Sequence, residues 1–492
     1  MKFNPSIYEI NTRVWLNRFN SENKKATLDD VPLTYWDELR EKGIDYVWLM
    51  GVWKTNQTAI EKYCFEEGLV KSYSKALRDW KKEDVIGSPY SIDIYDVNPR
   101  VGSLKSIHRL RKELNKRNVK LILDFVPNHF SAESSLVKTK PDLFLKVNRE
   151  RFEEDNHTYF KPDENVENYF AHGRDPFFPA WQDTIQVNYF SIPAREFMIK
   201  MLINLTKFCD GVRCDMAMLS LNNVFRNTWG NVAEQNSAGI IKDEFWKTAI
   251  EILKNVCPQF IFLAEAYWGL EWELQQQGFD FTYDKKLTDR LKSGPVPDIN
   301  DHFQAAEEYQ EKSIRFIENH DEERAVAKLG VEKSLAAAVI ISTVKGMRFY
   351  CDGQFEGKKI RLPVQLGSEP NEKTNGYVQS FYNRLLRIAN RDIFKKGEWQ
   401  LIEPLPASDN NDSYINILCW KWSYENENRL VVVNYSGTLS MCRIKFELKG
   451  FPEKINLYDE LNDENYPRST NEINTKGLYI ELKNYRCHIF AY

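Results

Sequence analysis

The sequence predicts an α/β fold: a (β/α)8 TIM barrel with an insertion subdomain after strand 3 and a C-terminal antiparallel β-sandwich domain. Three observations predict it. Short apolar β-type runs alternate with amphipathic helical stretches over most of the chain, the pattern of βα units around a parallel sheet. Those runs number eight, the count that closes a barrel. Near Gly397 the texture changes to strands of alternating polarity with few helical stretches between them. At 492 residues the chain is about three times a ~150-residue domain, room for a large barrel and an appendage.

The eight strand candidates are Ile7 to Trp15, Asp45 to Leu49, Val119 to Phe125, Asp210 to Cys214, Phe260 to Ala266, Phe279 to Tyr283, Ser313 to Ile317 and Met347 to Cys351. Helical spacing shows between them: Leu104, Ile107, Leu110 and Leu114 recur on one face among Lys, Arg and Glu, and Phe245, Ile250 and Leu253 do so less regularly. The spacing is read as interrupted once, by some sixty residues from Phe130 to Pro193 rich in Asp, Asn, Pro and aromatics. A long irregular excursion of this kind marks a functional loop or small subdomain. Later strands are Ile415 to Trp422, Arg429 to Tyr435, Cys442 to Leu448 and Cys487 to Tyr492. The resulting division is a barrel from 1–129 and 194–396, an insertion from 130–193 and a β domain from 397–492.

Composition narrows the function. With 67 Lys and Arg against 71 Asp and Glu, the formal charge is −4, so no overall basic field is available for nucleic acid or anionic membrane. Mean hydropathy is −0.54, and the densest apolar stretch, Ala336 to Val344, is far short of the ~20 residues that cross a bilayer. The opening MKFNPSIYEINTRVWL places polar residues and a proline where a secretory signal carries an uninterrupted apolar core, so a cytoplasmic location is expected. Eight cysteines lie scattered, with no CxxC pair and no Cys/His group at zinc spacing, and read as reduced thiols. Thirteen Trp, 24 Tyr and 29 Phe supply either ordinary core or apolar platforms for sugar rings, a choice composition leaves open.

Chemistry concentrates at four strand ends: DFVPNH (Asp124 to His129), DGVRCD (Asp210 to Asp215), FLAE (Phe262 to Glu265) and ENHD (Glu318 to Asp321). In a barrel all four ends converge on one mouth. Any one acid alone fits a cap or a loop turn, but Asp215, Glu265 and Asp321 together place three carboxylates face to face. Paired carboxylates are what glycosidic cleavage requires: one protonates the leaving oxygen, the other attacks the anomeric carbon or activates water. Arg213, two residues before Asp215 and so on the same strand face, is placed to pair with it and keep it ionised.

These four segments resemble, in order and position, the signature regions of the α-amylase family, glycoside hydrolase family 13. The similarity extends along most of the chain, through GSPYSIDIY before strand three and RLVVVNYSG in the C-terminal domain. The resemblance implies retaining chemistry on α-glucosidic linkages. It makes Asp215 the nucleophile, Glu265 the acid/base and Asp321 the transition-state stabiliser, with Arg213 orienting the nucleophile. His129 and His320 become hydrogen-bonding partners of the sugar in the cleavage subsite, and Tyr90 its stacking tyrosine, although Pro89 and Ile94 replace neighbours usual in that motif. Asp124 is grouped with the substrate-binding residues, chiefly as an organiser acting through Arg213. Asn128 matches an asparagine that ligates calcium in many members. The further ligands calcium needs are not identifiable in the insertion, so no cofactor is expected, with a structural Ca2+ as the alternative.

Departures bear on specificity. Met218 and Leu219 stand where endo-amylases carry lysine and histidine, Gln186-Val187-Asn188-Tyr189 only loosely echoes the family's fifth motif, and Glu322 is an unusual neighbour for Asp321. RLPVQL, residues 361–366, resembles a segment that follows the barrel in some bacterial members and has no evident role. The insertion aromatics, among them Phe177, Phe178 and Trp181, are read mainly as subdomain core. Trp399, Trp420 and Trp422 are read as packing on the barrel. The expected function is hydrolysis of α-glucosidic linkages in oligosaccharides or α-glucans. The alternatives are an α-glucosyltransferase or an isomerase of the trehalose synthase type, or a non-catalytic binding or scaffold relative, against which retention of all three acids and Arg213 weighs.

Overall fold

In the structure, a computed structural model describing residues 4–163, 167–235 and 241–492, eight parallel strands close into a barrel. They are β1 (Ser6–Asn11), β2 (Tyr46–Met50), β3 (Lys120–Phe125), β4 (Gly211–Cys214), β5 (Ile261–Ala264), β6 (Phe281–Tyr283), β7 (Ser313–Arg315) and β8 (Met347–Cys351). Each pairs with its neighbours in sequence order, and β8 returns to β1.

Side-chain parity explains both the barrel and the site. Successive residues of a strand point to opposite faces. Val47, Leu49, Leu121, Leu123, Val212, Phe262 and Ala264 pack outward against the surrounding helices. Ile7, Trp48, Ile122, Leu263, Tyr283 and Phe349 fill the interior. One step of two further along the inward rows come Glu9, Asp124 and Glu265, while β4 contributes Gly211, Arg213 and then Asp215. Gly211 is required by the barrel's tightness: a Cβ there would lie 2.5 Å from the Ile261 carbonyl oxygen.

The strands are shorter than the apolar runs suggest. The first ends at Asn11 and continues as a helical turn, Thr12–Trp15, and the fifth covers only Ile261–Ala264. Past the barrel rim the chain has no neighbour to ladder with, so apolar residues there pack in turns. The helices predicted from spacing form at Leu104–Lys116 and Phe245–Val256 and bury Ile107, Leu110, Leu114, Phe245, Ile250 and Leu253; Leu104, at the first turn, is exposed.

The expectation of one interruption is corrected. A second excursion separates β2 from β3: the strand pair Trp53–Thr55 and Ile92–Val97, with helices Gln57–Tyr63 and Glu67–Ala76 between them. These helices are short and mix polar with apolar residues, so periodicity does not separate them from a barrel helix. The insertion after β3 begins with an antiparallel pair, His129–Ser131 against Thr184–Gln186, and contains a three-stranded sheet built on Tyr169–Ala171.

The C-terminal region holds a six-stranded antiparallel sheet and a three-stranded one. Its long strands, Ile417–Tyr424 and Glu427–Asn434, carry uninterrupted apolar stretches at 417–420 and 430–433 because both faces are covered there. Cys419, Leu430 and Val432 face the second sheet; Leu418, Trp420, Trp422, Val431 and Val433 face the barrel. Trp422 Nε1 donates to the Thr343 carbonyl at 2.6 Å, and the Tyr435 hydroxyl to that of Leu291 at 2.7 Å. Trp420 and Trp422 are fully buried in this interface.

Candidate active site

Arg213 and Asp215 share the inward row of β4. The Arg213 guanidinium is buried, with Nη1 donating to Asp215 Oδ1 at 2.6 Å and Nη2 lying 2.7 Å from Glu265 Oε2. It therefore bridges two carboxylates, where sequence reasoning paired it with one. The rings of Trp48 and Tyr90 flank it at 5.0 and 5.2 Å, an arrangement that favours a cation. Asp215 is raised from the ordinary aspartate range because burial outweighs the attraction of Arg213.

Glu265 follows directly on β5. Its Oε2 accepts the Met216 backbone N–H at 2.7 Å, and its Oε1 accepts the Tyr267 hydroxyl at 2.9 Å. Met216 reaches that position in a left-handed conformation, φ 41°, and Trp268 on the neighbouring turn has φ 64°. Non-glycine residues held at positive φ cluster at functional sites because the surroundings must over-determine them. Burial, opposed by Arg213 and reinforced by Asp215, pushes the Glu265 carboxyl up to about 7.

The loop after β7 carries His320 and Asp321. Asn319 Oδ1 accepts the N–H groups of Asp321 and Glu322, both at 2.9 Å, and shapes the turn. His320 Nε2 lies 2.8 Å from Tyr90 Oη and 3.0 Å from Asp321 Oδ2, while Nδ1 lies 2.5 Å from Glu9 Oε1. Burial opposes the imidazolium, but Asp321 and Glu9 together raise His320 well above its ordinary range. Burial alone would push Asp321 up; His320 overrides it and brings the carboxyl down to about 2. Glu322 turns away from the site, held by Lys285 and Lys292.

Asp124 lies beneath. Its oxygens accept Trp48 Nε1 at 3.0 Å and the Gly51 N–H at 2.8 Å, and burial raises it to about 6. His129 is buried against Trp181, ring centroids 5.3 Å apart, and burial lowers it to about 3, so it is a neutral imidazole at neutral pH.

Asn128 is engaged by the insertion. Gln186 Nε2 lies 2.9 Å from the Asn128 carbonyl oxygen, 3.0 Å from Asn128 Oδ1 and 3.0 Å from the Val187 carbonyl oxygen. One amide nitrogen thus serves three oxygens that a cation beside Asn128 would otherwise need. Among the described residues no group of three or more His, Cys, Asp or Glu side chains stands ready to hold a metal ion. Among the described residues, the oxygens beside Asn128 are served by this amide and are not gathered into the six to eight ligands of a calcium cage.

A cavity of about 620 Å³ opens over these groups. Asp215, Glu265, Asp321, Tyr90 and His129 line it; Arg213, Asp124 and His320 stand behind its wall. Trp181 lines it as well, whereas Phe177 and Phe178 are exposed on the insertion and Met218 and Leu219 are buried. Tyr267 was not singled out from sequence, although its place two residues after Glu265 was the available signal. Part of the wall, Tyr63, Cys64, Glu66 and Leu69, comes from the helical part of the excursion after β2, for which sequence offered no motif.

RLPVQL acquires a role here. Leu366 is buried among Ile60, Cys64, Tyr73, Ala76 and Val85, and the Ile86 N–H donates to the Gln365 carbonyl at 2.8 Å. Arg361 Nη1 donates to the Asp321 carbonyl at 2.7 Å. The segment is a strap that ties the excursion after β2 to the loop carrying Asp321, and Gln365 reaches the cavity wall.

A parallel barrel with three carboxylates over one cavity at the C-terminal strand ends, beside a buried arginine, defines a glycosidase-type enzyme. The chain belongs to the alpha-amylase family: residues 33–373 match the family model described as alpha amylase, catalytic domain. Alpha-amylase 3 of Dictyoglomus thermophilum is 22% identical over 414 residues, covering 74% of this chain and 77% of that protein. Among solved structures, the noncanonic maltogenic alpha-amylase AmyB from Thermotoga neapolitana superposes with a TM-score of 0.68 at 21% identity, covering 99% of this chain and 98% of the other. A mutant of the trehalulose synthase MutB in complex with Tris gives 0.67 at 16% identity, covering 99% of each chain. At these identities the structural likeness reports the fold. No helix among the described residues is long and apolar enough to cross a membrane.

Proposed function

We propose that this protein is a retaining hydrolase of α-glucosidic linkages in oligosaccharides or α-glucans. Asp215 attacks the anomeric carbon while Glu265 gives its proton to the glycosidic oxygen; the C–O bond breaks and a glycosyl ester forms on Asp215. Glu265 then takes a proton from water, whose oxygen attacks the anomeric carbon and releases Asp215. Asp321 receives the hydroxyls of the sugar and opposes the positive charge that develops on the ring. His129 and Tyr90 complete that subsite at the cavity wall, His320 stands behind Tyr90 and Asp321, and Asp124 and Arg213 hold the site from below.

The observation that carries this reading is the single guanidinium shared by Asp215 and Glu265 over one cavity with Asp321. A shared arginine supports a short gap between the two carboxylates, as retention requires (about 5–5.5 Å). The carboxyls are also pushed apart in acidity: Glu265 to about 7, suited to a proton donor, and Asp321 to about 2, suited to a permanent anion. We assign no metal to the reaction, since Gln186 already serves the oxygens of Asn128. All eight cysteines are unpaired, which suits the reducing interior of a cell.

Glucosyl transfer or isomerisation is the second reading, supported by the comparable likeness to a trehalulose synthase. It shares the first half-reaction and differs in the acceptor. The test is a product profile on maltose, isomaltose, trehalose, sucrose, maltoheptaose and soluble starch, with Asp215→Asn as control and proton NMR of the first product anomer. Release of α-anomeric glucose or short sugars supports the retaining hydrolase. β-Anomeric product overturns retention, and rearranged or lengthened sugars without new reducing ends move the assignment to transfer.

A further inference from the structure

Glu9 lies on β1, 311 positions from the histidine it touches, and neither the strand-end motifs nor the family match assigns it a role. Its side chain is 1% exposed. Parity explains how it gets there: Ile7 fills the barrel interior, and Glu9 is the next inward residue, in register with Trp48 on β2 and Cys351 on β8. Among the described residues, the carboxylate makes one hydrogen bond, Oε1 accepting from His320 Nδ1 at 2.5 Å, while Oε2 is buried without a protein donor. A buried carboxylate is costly to retain for stability alone, since an apolar residue of similar size would serve packing at least as well. Its sole partner therefore indicates what it is for.

We propose that Glu9 is a positioning residue of this active site, fixing the His320 ring from inside the barrel so that Nε2 is presented to Tyr90 and Asp321. The inference rests on the functional reading above. Its geometry is a chain of contacts: Glu9 Oε1 to His320 Nδ1, His320 Nε2 to Asp321 Oδ2 at 3.0 Å and to Tyr90 Oη at 2.8 Å. A ring held at Nδ1 by a carboxylate has its orientation and protonation set from behind, the arrangement by which a second acid orients a working histidine. The Trp48 ring, 5.6 Å away and T-shaped to the imidazole, leaves it little freedom to rotate. With both nitrogens protonated, Nε2–H is a donor toward Asp321, and the Asp321 side chain, 50% exposed, is steadied at the cavity where sugar hydroxyls arrive. Glu9 contacts no substrate in this scheme; it acts through His320.

The charged and titratable groups facing His320 are Glu9 from β1, Asp321 from its own loop, Tyr90 from the segment before β3, Asp124 from β3, and Asp215 across the cavity. In Glu9→Gln only the first of these charges changes. The experiment therefore has two arms on the full-length protein. In the first, the imidazole 15N and 13C signals of His320, assigned by their loss in His320→Gln, are titrated in wild type and in Glu9→Gln. His320 is expected to stay doubly protonated well above the ordinary histidine range in wild type and to titrate at least one pH unit lower in the variant. In the second arm, kcat and KM are measured across pH on the best substrate of the product panel. Glu9→Gln is expected to lower kcat/KM at least tenfold, mostly in kcat, with the loss growing as pH rises and with thermal unfolding close to wild type. Glu9→Asp is expected to keep the charge and restore the His320 titration while leaving part of the kinetic loss.

An unchanged His320 titration in Glu9→Gln overturns the inference. So does a kcat/KM within threefold of wild type at every pH. If wild type turns over nothing on the panel, the titration arm still decides whether Glu9 holds His320, and only the functional reading falls.

Discussion

Arg213→Gln tests the centre of the site most directly. The guanidinium is buried, hydrogen-bonded to Asp215 at 2.6 Å and ion-paired with Glu265 at 2.7 Å, which places opposite charge centres about 4 Å apart. At an effective dielectric of 20, each such interaction is worth about 4 kcal/mol. One pH unit corresponds to about 1.36 kcal/mol, so the electrostatic limit is a rise of about 3 units in each carboxyl. Relaxation and water entry reduce this, and shifts of about 1–3 units are typical for a carboxylate losing an arginine.

The sign follows. Removing the positive charge raises both carboxyls, so Asp215 reaches its ionised, nucleophilic form at higher pH. The acidic limb of kcat/KM should move up by about 1–3 units. At the original optimum, activity should fall at least a hundredfold, or about 2.7 kcal/mol in transition-state stabilisation. Arg213→Lys should not rescue it, since one ammonium cannot bond two carboxylates with the geometry of a planar fork. The assay is a full pH profile on an activated aryl α-glucoside, whose leaving group needs little protonation. An unmoved acidic limb together with kcat/KM within threefold of wild type would refute the idea that Arg213 sets the state of these acids.

For the wild-type enzyme, protonated Glu265 disappears as pH rises through about 7, so kcat/KM on unactivated sugars should fall on the alkaline side near that value, and Glu265→Gln should remove this limb while keeping measurable glycosylation by activated substrates. Leu366→Ala removes a fully buried side chain from the contact between strap and excursion and should cost about 2–5 kcal/mol, read as a lowered denaturation midpoint and faster proteolysis within residues 57–80. Chelation with EDTA should leave both melting and turnover unchanged, whereas Gln186→Ala, which strips the amide from the Asn128 and Val187 oxygens, should destabilise the insertion by about 1–3 kcal/mol and make the variant responsive to added calcium.

The sequence by itself determined the barrel and the four acid-bearing strand ends. A strand carries its own parity, so IFLAE already states that Phe262 and Ala264 face out and that Glu265 continues the inward row. The same holds for Arg213 and Asp215. It also determined that Trp420 and Trp422 of the β domain would be buried, since an apolar run such as ILCWKW has no polar face to turn to water. Only tertiary structure decided which groups touch. Barrel closure and strand register brought Glu9 on the first strand to His320 after the seventh, and placed Glu265 on the same guanidinium as Asp215. The second excursion and the RLPVQL strap were illegible for a related reason. Their helices and turns are ordinary locally, and what makes them a cavity wall is packing between segments some 300 residues apart, which no local propensity or period encodes.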